Sequence, residues 1–420
     1  MNTQTTPVHI RLWHHEFWLL VIADLLLTMS VYMLIPLFPQ WLMAEQHFTP
    51  QQTGLSMAAF AVGLYLLGAQ CSWLVQRYRR NVVCMWAIIA LAVNLLLLGY
   101  FSPLVTFPLV LLHRVCLGAV FGLAQMVLTS TLIIDTCESH QRTEANFGAA
   151  WFSRFALSLG PVVGLVLALP AITDLLSPIT HHLPIITQHP TPITQTPITQ
   201  HSSPITQTPI TLFISALLAM VSMLLISRVT FPFRTPDESV SFASLDRFFL
   251  PSGFALFLNL LIISTCVGMV LSLSLSLMFY ALMMGGFLLA LLARHFVFSN
   301  AELKSEVISG LILLLASLIV MLVYPFDPIS PLLLGLAIGI VCSRFLLFFV
   351  KLSRHCQRGT SQSTYFLSWE TGLALGLGIG YGLFADSRDM LLYTCLALTA
   401  MALVMYHFFT HHWFMTHKNR

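Results

Sequence analysis

Apolar residues along this chain gather into continuous blocks separated by short stretches that hold nearly all of the charge. The blocks lie near 17–38, 54–75, 82–101, 108–134, 146–169 and 212–231, then near 252–274, 276–297, 307–325, 331–350, 364–385 and 389–410. About 20 apolar residues wound as a helix cross roughly 30 Å of hydrocarbon, so each block is long enough to span a bilayer. The pattern predicts an all-α polytopic membrane protein of twelve transmembrane helices in two pseudo-symmetric six-helix bundles. The N-terminal bundle is expected over 1–231, a cytoplasmic linker over 232–250 and the C-terminal bundle over 251–420.

Composition agrees with that reading. Of 420 residues, 57% are hydrophobic and 8% charged, whereas a soluble domain carries roughly 25% charged side chains. A water-facing surface cannot be built from so few ionic groups, and the lipid bilayer is the solvent that suits the remainder. The net charge of +3 gives no reason to expect nucleic acid as a partner. No C-x-x-C pair occurs among the cysteines, so free thiols are expected, with no metal site and no cofactor. The first apolar block exceeds a signal-peptide core and reads as a retained span.

Charge orients the spans. With a cytoplasmic N-terminus, fifteen Lys and Arg residues, from Arg11 through Arg77, Arg79, Arg80 and Arg142 to Arg420, fall on the inner side, and only Arg388 falls outside. That bias is the positive-inside rule, and it places both termini in the cytoplasm of a bacterial-type inner (plasma) membrane. Between spans 5 and 6 the outer loop, 170–211, carries Pro-Ile-Thr repeats with Gln and His from about 178 onward. Pro-dense low complexity packs no core, so a disordered, extended tether is expected there. Its histidines keep no metal-ligand spacing.

The halves also echo each other: Arg142, Arg154, Gly160 and Gly164 recur at a constant offset as Arg358, Glu370, Gly376 and Gly380, and Asp24 in span 1 faces Asn259 in span 7. Six-plus-six symmetry is common in secondary transporters, with the binding site where the halves meet. Ser72 to Asn81 aligns with a G-x-x-x-D-R-x-G-R-R loop, keeping Arg77 and Arg80 but with Gln76 in place of the acid and Arg79 in place of the glycine. Span 4 holds Arg114-x-x-x-Gly118, followed by Gly122 and Gln125 on the same helical stripe, and span 5 holds Gly160-Pro161-x-x-Gly164. On these landmarks the chain resembles the major facilitator superfamily, and within it the drug:proton antiporter group. The resemblance implies alternating access, neighbouring spans 1 and 5, and neighbouring spans 10 and 11.

Ionisable residues within hydrocarbon are costly and are functional candidates by default. They are Asp24, Arg114, Arg154, Arg344 and Glu370. Helical rise puts Asp24, Arg154, Arg344 and Glu370 in one layer roughly 10–12 Å above the cytoplasmic edge. The expected pairs are Asp24 with Arg154 and Arg344 with Glu370. Asp24, the one acid buried in the first six spans, is the expected proton carrier, since an acid alternately wetted and withdrawn from an arginine can take up and release a proton. Gln125, Trp151, Ser158, Asn259 and Trp369 are candidate cavity residues.

These readings converge on a secondary active transporter, acting as a monomer on a small-molecule substrate, with protons as coupling ion and efflux as direction. An uptake facilitator or symporter of the same fold is the alternative. An integral membrane enzyme or a sensor fits less well, because no H-x-x-x-D, H-E-x-x-H or nucleotide loop occurs in the chain.

Overall fold

A computed structural model describes residues 12–101, 105–138, 140–169, 208–231, 241–298, 302–325, 327–354 and 357–418. Fourteen helices account for it: α1 (His15–Tyr32), α2 (Phe38–Ala44), α3 (Pro50–Leu66), α4 (Cys71–Arg77), α5 (Arg80–Tyr100), α6 (Phe107–Asp135) and α7 (Arg142–Leu167). The remainder are α8 (Thr208–Ser227), α9 (Phe254–Leu271), α10 (Leu277–Phe296), α11 (Leu303–Val323), α12 (Ile329–Leu352), α13 (Arg358–Leu383) and α14 (Arg388–His417). No strand occurs among the described residues. α1 with α2 forms the first pass and α3 with α4 the second, the latter bent by 49°. The other ten helices complete twelve passes.

Local chemistry sets several of these boundaries. Thr49 opens α3 with a capping box: its hydroxyl accepts from the Gln52 amide at 3.2 Å while the Gln52 side chain accepts from the Thr49 amide at 3.0 Å, and Pro50 occupies the first turn. α8 starts at Thr208 with Pro209 in its first turn, where proline gives up no helical hydrogen bond. The last four residues expected in the outer loop are therefore helical. The rest of the expected tether, 170–207, and the linker residues 232–240 lie outside the described residues.

Ten of the helices are long and apolar enough to cross a membrane, and the bent α3–α4 pair adds an eleventh. α13 is different. Its 26 residues are rich in Ser, Thr and Gly, and they are viable at bilayer depth because nearly all of them are buried in protein.

The two halves repeat one packing scheme. In the first half α1 packs on α7 and α8, α5 on α6 and α8, and α3 on α6. In the second half α9 packs on α13 and α14, α11 on α12 and α14, and α10 on α12. Each pair recurs six passes later. α7 and α13 hold equivalent places and have equal lengths, 26 residues from Arg142 and from Arg358. Glycine permits the close crossings: a Cβ on Gly63 would meet the Val115 carbonyl and one on Gly118 the Phe60 carbonyl, and across the symmetry Gly286 would meet Leu332 and Gly335 would meet Met283. Gly122 fits against Leu64 in the same α3–α6 seam. Gly160 and Gly164, on either side of Pro161, lie on the backbone of Tyr32 and Met33.

α3 against α13 and α7 against α10 join the halves. Arg80, Asp135, Arg142, Arg247 and Arg358 gather at one end of the body, the basic end, around a cavity of about 320 Å³. At the opposite end a vestibule of about 560 Å³ opens between Met43, Pro50, Phe279, Tyr324, Tyr381 and Arg388. The halves also touch where Gly54 lies on Gly378 and Gly382, where Gly359 lies on Ser130, and where the Arg294 guanidinium stacks 4.6 Å from the Phe147 ring.

Candidate functional site

Among the described residues five charged side chains are buried, and four of them, Asp24, Arg114, Arg154 and Glu370, are ones the sequence singles out, with Arg344 partly buried; their partners differ from the expected ones. Arg344 forms its ion pair with Glu306 of α11, and Glu370 is not its partner. Glu306 is 2% exposed. It escaped the sequence reading because span 9 was expected to begin at 307, one residue too late. The second expected pair is also absent: Asp24 accepts from the Ser153 hydroxyl at 2.6 Å, and Arg154 turns the other way. Neighbouring residues on a helix point about 100° apart, so once Ser153 faces α1, Arg154 must face α12 and α13.

The expected depth also changes. Arg154 and Glu370 each lie twelve residues into a 26-residue helix, about 18 Å from its start and close to mid-body. Both helices begin four to six residues before the apolar blocks, and in α13 the extra residues include the buried Thr360, Ser361, Gln362 and Ser363.

Arg154 is 4% exposed and donates to the Ser343 hydroxyl at 3.0 Å and the Tyr365 hydroxyl at 3.2 Å, with its guanidinium 4.8 Å from the Trp151 ring centre. Trp151 in turn lies beside Gly339 of α12. Arg154 thus bridges the halves, yet among the described residues no carboxylate lies within ion-pair distance of it. Arg114, 5% exposed, stacks on Phe38 at 5.4 Å and Phe60 at 5.1 Å and likewise has no acid partner. Glu370 accepts a hydrogen bond from the Tyr32 hydroxyl, across from α13 to α1. Trp369 beside it is buried.

Arg114, Glu370 and Tyr32 line one small central pocket whose other walls include Met57, Phe60, Leu373 and Leu377. In this conformation it is collapsed to about 20 Å³, room for about one water molecule. Asp24 does not line it. Asp24 is fully buried between α1 and α7 inside the first half, near Gln125, whose amide donates to Thr28 at 2.6 Å.

Two other candidates make hydrogen bonds between helices. Ser158 donates to the Tyr280 carbonyl at 2.5 Å and fastens α7 to α10. Asn259 donates to the Ala402 carbonyl at 3.1 Å between α9 and α14, away from the pocket. Neither lines the small central pocket. Arg77 stacks on Trp73 at 5.5 Å, and Arg80 pairs with Asp135 at the foot of α6.

At the basic end, the acid missing at Gln76 has a neighbouring substitute. Gln76 donates to the Ser72 hydroxyl at 3.2 Å, and Ser72 donates to Asp246 of the linker at 3.4 Å. Thr360, in the first turn of α13, donates to the other Asp246 oxygen at 3.2 Å. The next linker residues continue the attachment: the Arg247 amide donates to Thr360 at 2.9 Å, the Arg247 guanidinium to Thr131 at 3.2 Å and the Leu250 amide to Thr364 at 2.8 Å. Arg247 holds a left-handed backbone, φ 58°, to do this. Sequence alone carried no signal for that arrangement.

The profile described as Major Facilitator Superfamily matches residues 20–386. Comparison with curated proteins yields no match. Among solved structures, a bacterial homologue of the human lysosomal transporter Spinster, inward-facing and unoccupied, superposes with a TM-score of 0.67 at 14% identity, covering 97% of this chain and 98% of that one. The xylose transporter XylE of E. coli, inward open, gives 0.64 at 12% identity over 94% and 95%. The human organic anion transporter MFSD10 gives 0.62 at 15% identity over 93% and 99%. At these identities the likeness is one of fold.

Proposed function

The chain belongs to the major facilitator superfamily, and from that premise we propose that it moves a small organic molecule across a membrane by alternating access, coupled to protons. The observation that carries this reading is the central pocket: a buried carboxyl of one half, Glu370, held by a hydroxyl of the other, Tyr32, beside the unpaired Arg114. Rocking the halves apart would break that hydrogen bond and wet the carboxyl from one side at a time. Glu370 therefore takes the coupling role expected of Asp24, because the hydrogen bond of Glu370 crosses from one half to the other while that of Asp24 to Ser153 stays within the first half. Export is the direction favoured by the likeness of Arg114-x-x-x-Gly118 and Gly160-Pro161-x-x-Gly164 to antiporter motifs. The arginines gathered at the basic end support a cytoplasmic orientation for that end.

The test is reconstitution into vesicles with a pH-sensitive dye in the lumen, using a compound that stabilises the purified protein. Wild-type protein is expected to move protons when that compound is added. Glu370→Gln is expected to lose proton movement while still exchanging labelled for unlabelled compound. Proton movement that persists at wild-type rate in Glu370→Gln would overturn the assignment.

A further inference from the structure

We infer that the central pocket receives an organic anion, an apolar body bearing a carboxylate or sulfonate that Arg114 binds. This names the substrate class of the site proposed above and rests on that reading. The inference begins with an asymmetry among the four buried charged residues that lack an ion-pair partner. Asp24 and Glu370 can become neutral by taking up a proton, whereas an arginine stays charged under all ordinary conditions. The fixed charges left unbalanced in the body are therefore both positive, Arg114 and Arg154.

Neither arginine is satisfied by its surroundings. The Arg114 guanidinium lies between two phenyl rings, its Nε has no hydrogen-bond acceptor, and Glu370 across the same pocket is not within ion-pair distance. Stacking on aromatic faces supplies no acceptor to the guanidinium N–H donors, and a guanidinium at bilayer depth is costly while it stays unpaired. Ring contacts leave a deficit that an anion would remove. Arg154 is held only by neutral hydroxyls and the Trp151 face, and its Nε is also without an acceptor. It adds a second positive field from the surface where the halves meet, which would repel a cationic guest. The remaining pocket walls, Leu34, Ile35, Met57, Leu373 and Leu377, offer no hydrogen-bonding side chain. They suit an apolar body, with the charge at one end.

Head-group matched probes test this directly on the purified full chain. Thermal unfolding is measured with phenylbutyrate, benzenesulfonate and octanoate, and with phenylbutylamine and phenylbutanol as cationic and neutral counterparts. At least one anion is expected to raise the unfolding temperature, with the amine and the alcohol inert. Arg114→Gln is expected to weaken anion binding by about ten-fold or more, with Arg114→Lys retaining part of it. Stabilisation by the amine or the alcohol equal to that by the acid overturns the inference, as does a panel in which no anion binds. Should Arg114→Gln fail to fold, the wild-type comparison of head groups still decides. An anion that binds but is not carried across vesicles would sink the transport reading and leave the substrate class standing. A carried amine would do the reverse.

Discussion

Replacing Glu306 with Gln should be among the most damaging single changes to the stability of the second half. Glu306 is almost fully buried, and the Arg344 side chain that pairs with it is 13% exposed. The amide keeps the shape but not the charge, so Arg344 is left as an uncompensated buried cation, at a cost of about 3–5 kcal/mol. Partial exposure of Arg344 favours the lower end of that range. For a unit the size of the six-helix half, roughly 2–4 °C is lost per kcal/mol, so the unfolding temperature should fall by roughly 6–12 °C at that lower end. Adding Arg344→Met removes the stranded charge and should restore much of the loss. Glu370→Gln is the control. It keeps an acceptor for Tyr32 and strands no arginine, so its shift should be small. Fluorescence-monitored unfolding in one detergent of wild type, Glu306→Gln, Arg344→Met, the double variant and Glu370→Gln reads all of this out. A larger shift in Glu370→Gln than in Glu306→Gln, or losses that add in the double variant, would refute the pairing.

Two further expectations concern seams and fastening. Gly63→Ala and Gly286→Ala each drive a methyl into a facing backbone carbonyl and should cost about 1–3 kcal/mol, whereas Gly285→Ala meets only Leu332 at 3.7 Å and should be silent in the same unfolding assay. Asp246→Ala should speed hydrogen–deuterium exchange at the Arg247 and Leu250 amides, which donate to Thr360 and Thr364; unchanged exchange would show that Asp246 does not hold the segment in place.

Twelve passes were legible because bilayer thickness is a ruler that apolar blocks must match. α13 was legible for a further reason, the recurrence of the Arg142-to-Gly164 pattern at constant offset, since its own hydropathy is diluted by Ser, Thr and Gly. All of the buried charges but Glu306 could be named from sequence, because an ionic residue inside an apolar block stands out whatever its neighbours are. Their partners could not. Pairing depends on the direction each residue faces around its helix, and the Ser153–Arg154 step shows how one position separates the inside of a half from the surface between halves. It depends also on where helices begin, as Glu306 shows. Tyr32, Ser343 and Tyr365, which complete the site, are ordinary hydroxyl residues with nothing in their spacing to mark them.

The segment from Ser244 to Leu250 gives the connection between the halves a mechanical role beyond continuity. It is sewn to α13 by Asp246, Arg247 and Leu250, and to the first half by the Ser244 amide on the Ala69 carbonyl at 2.9 Å, by Ser72 and by Thr131. The stitches to α13 include two backbone amides, whose place is fixed by the chain itself, while two of the three on the other side rely on side chains at 3.2 and 3.4 Å. When the basic end parts, the seam on the first-half side is the weaker one, and the segment should ride with α13. The moving body then starts near Asp246 and not at the first residue of α9, so the connecting segment acts as the hem of the second half.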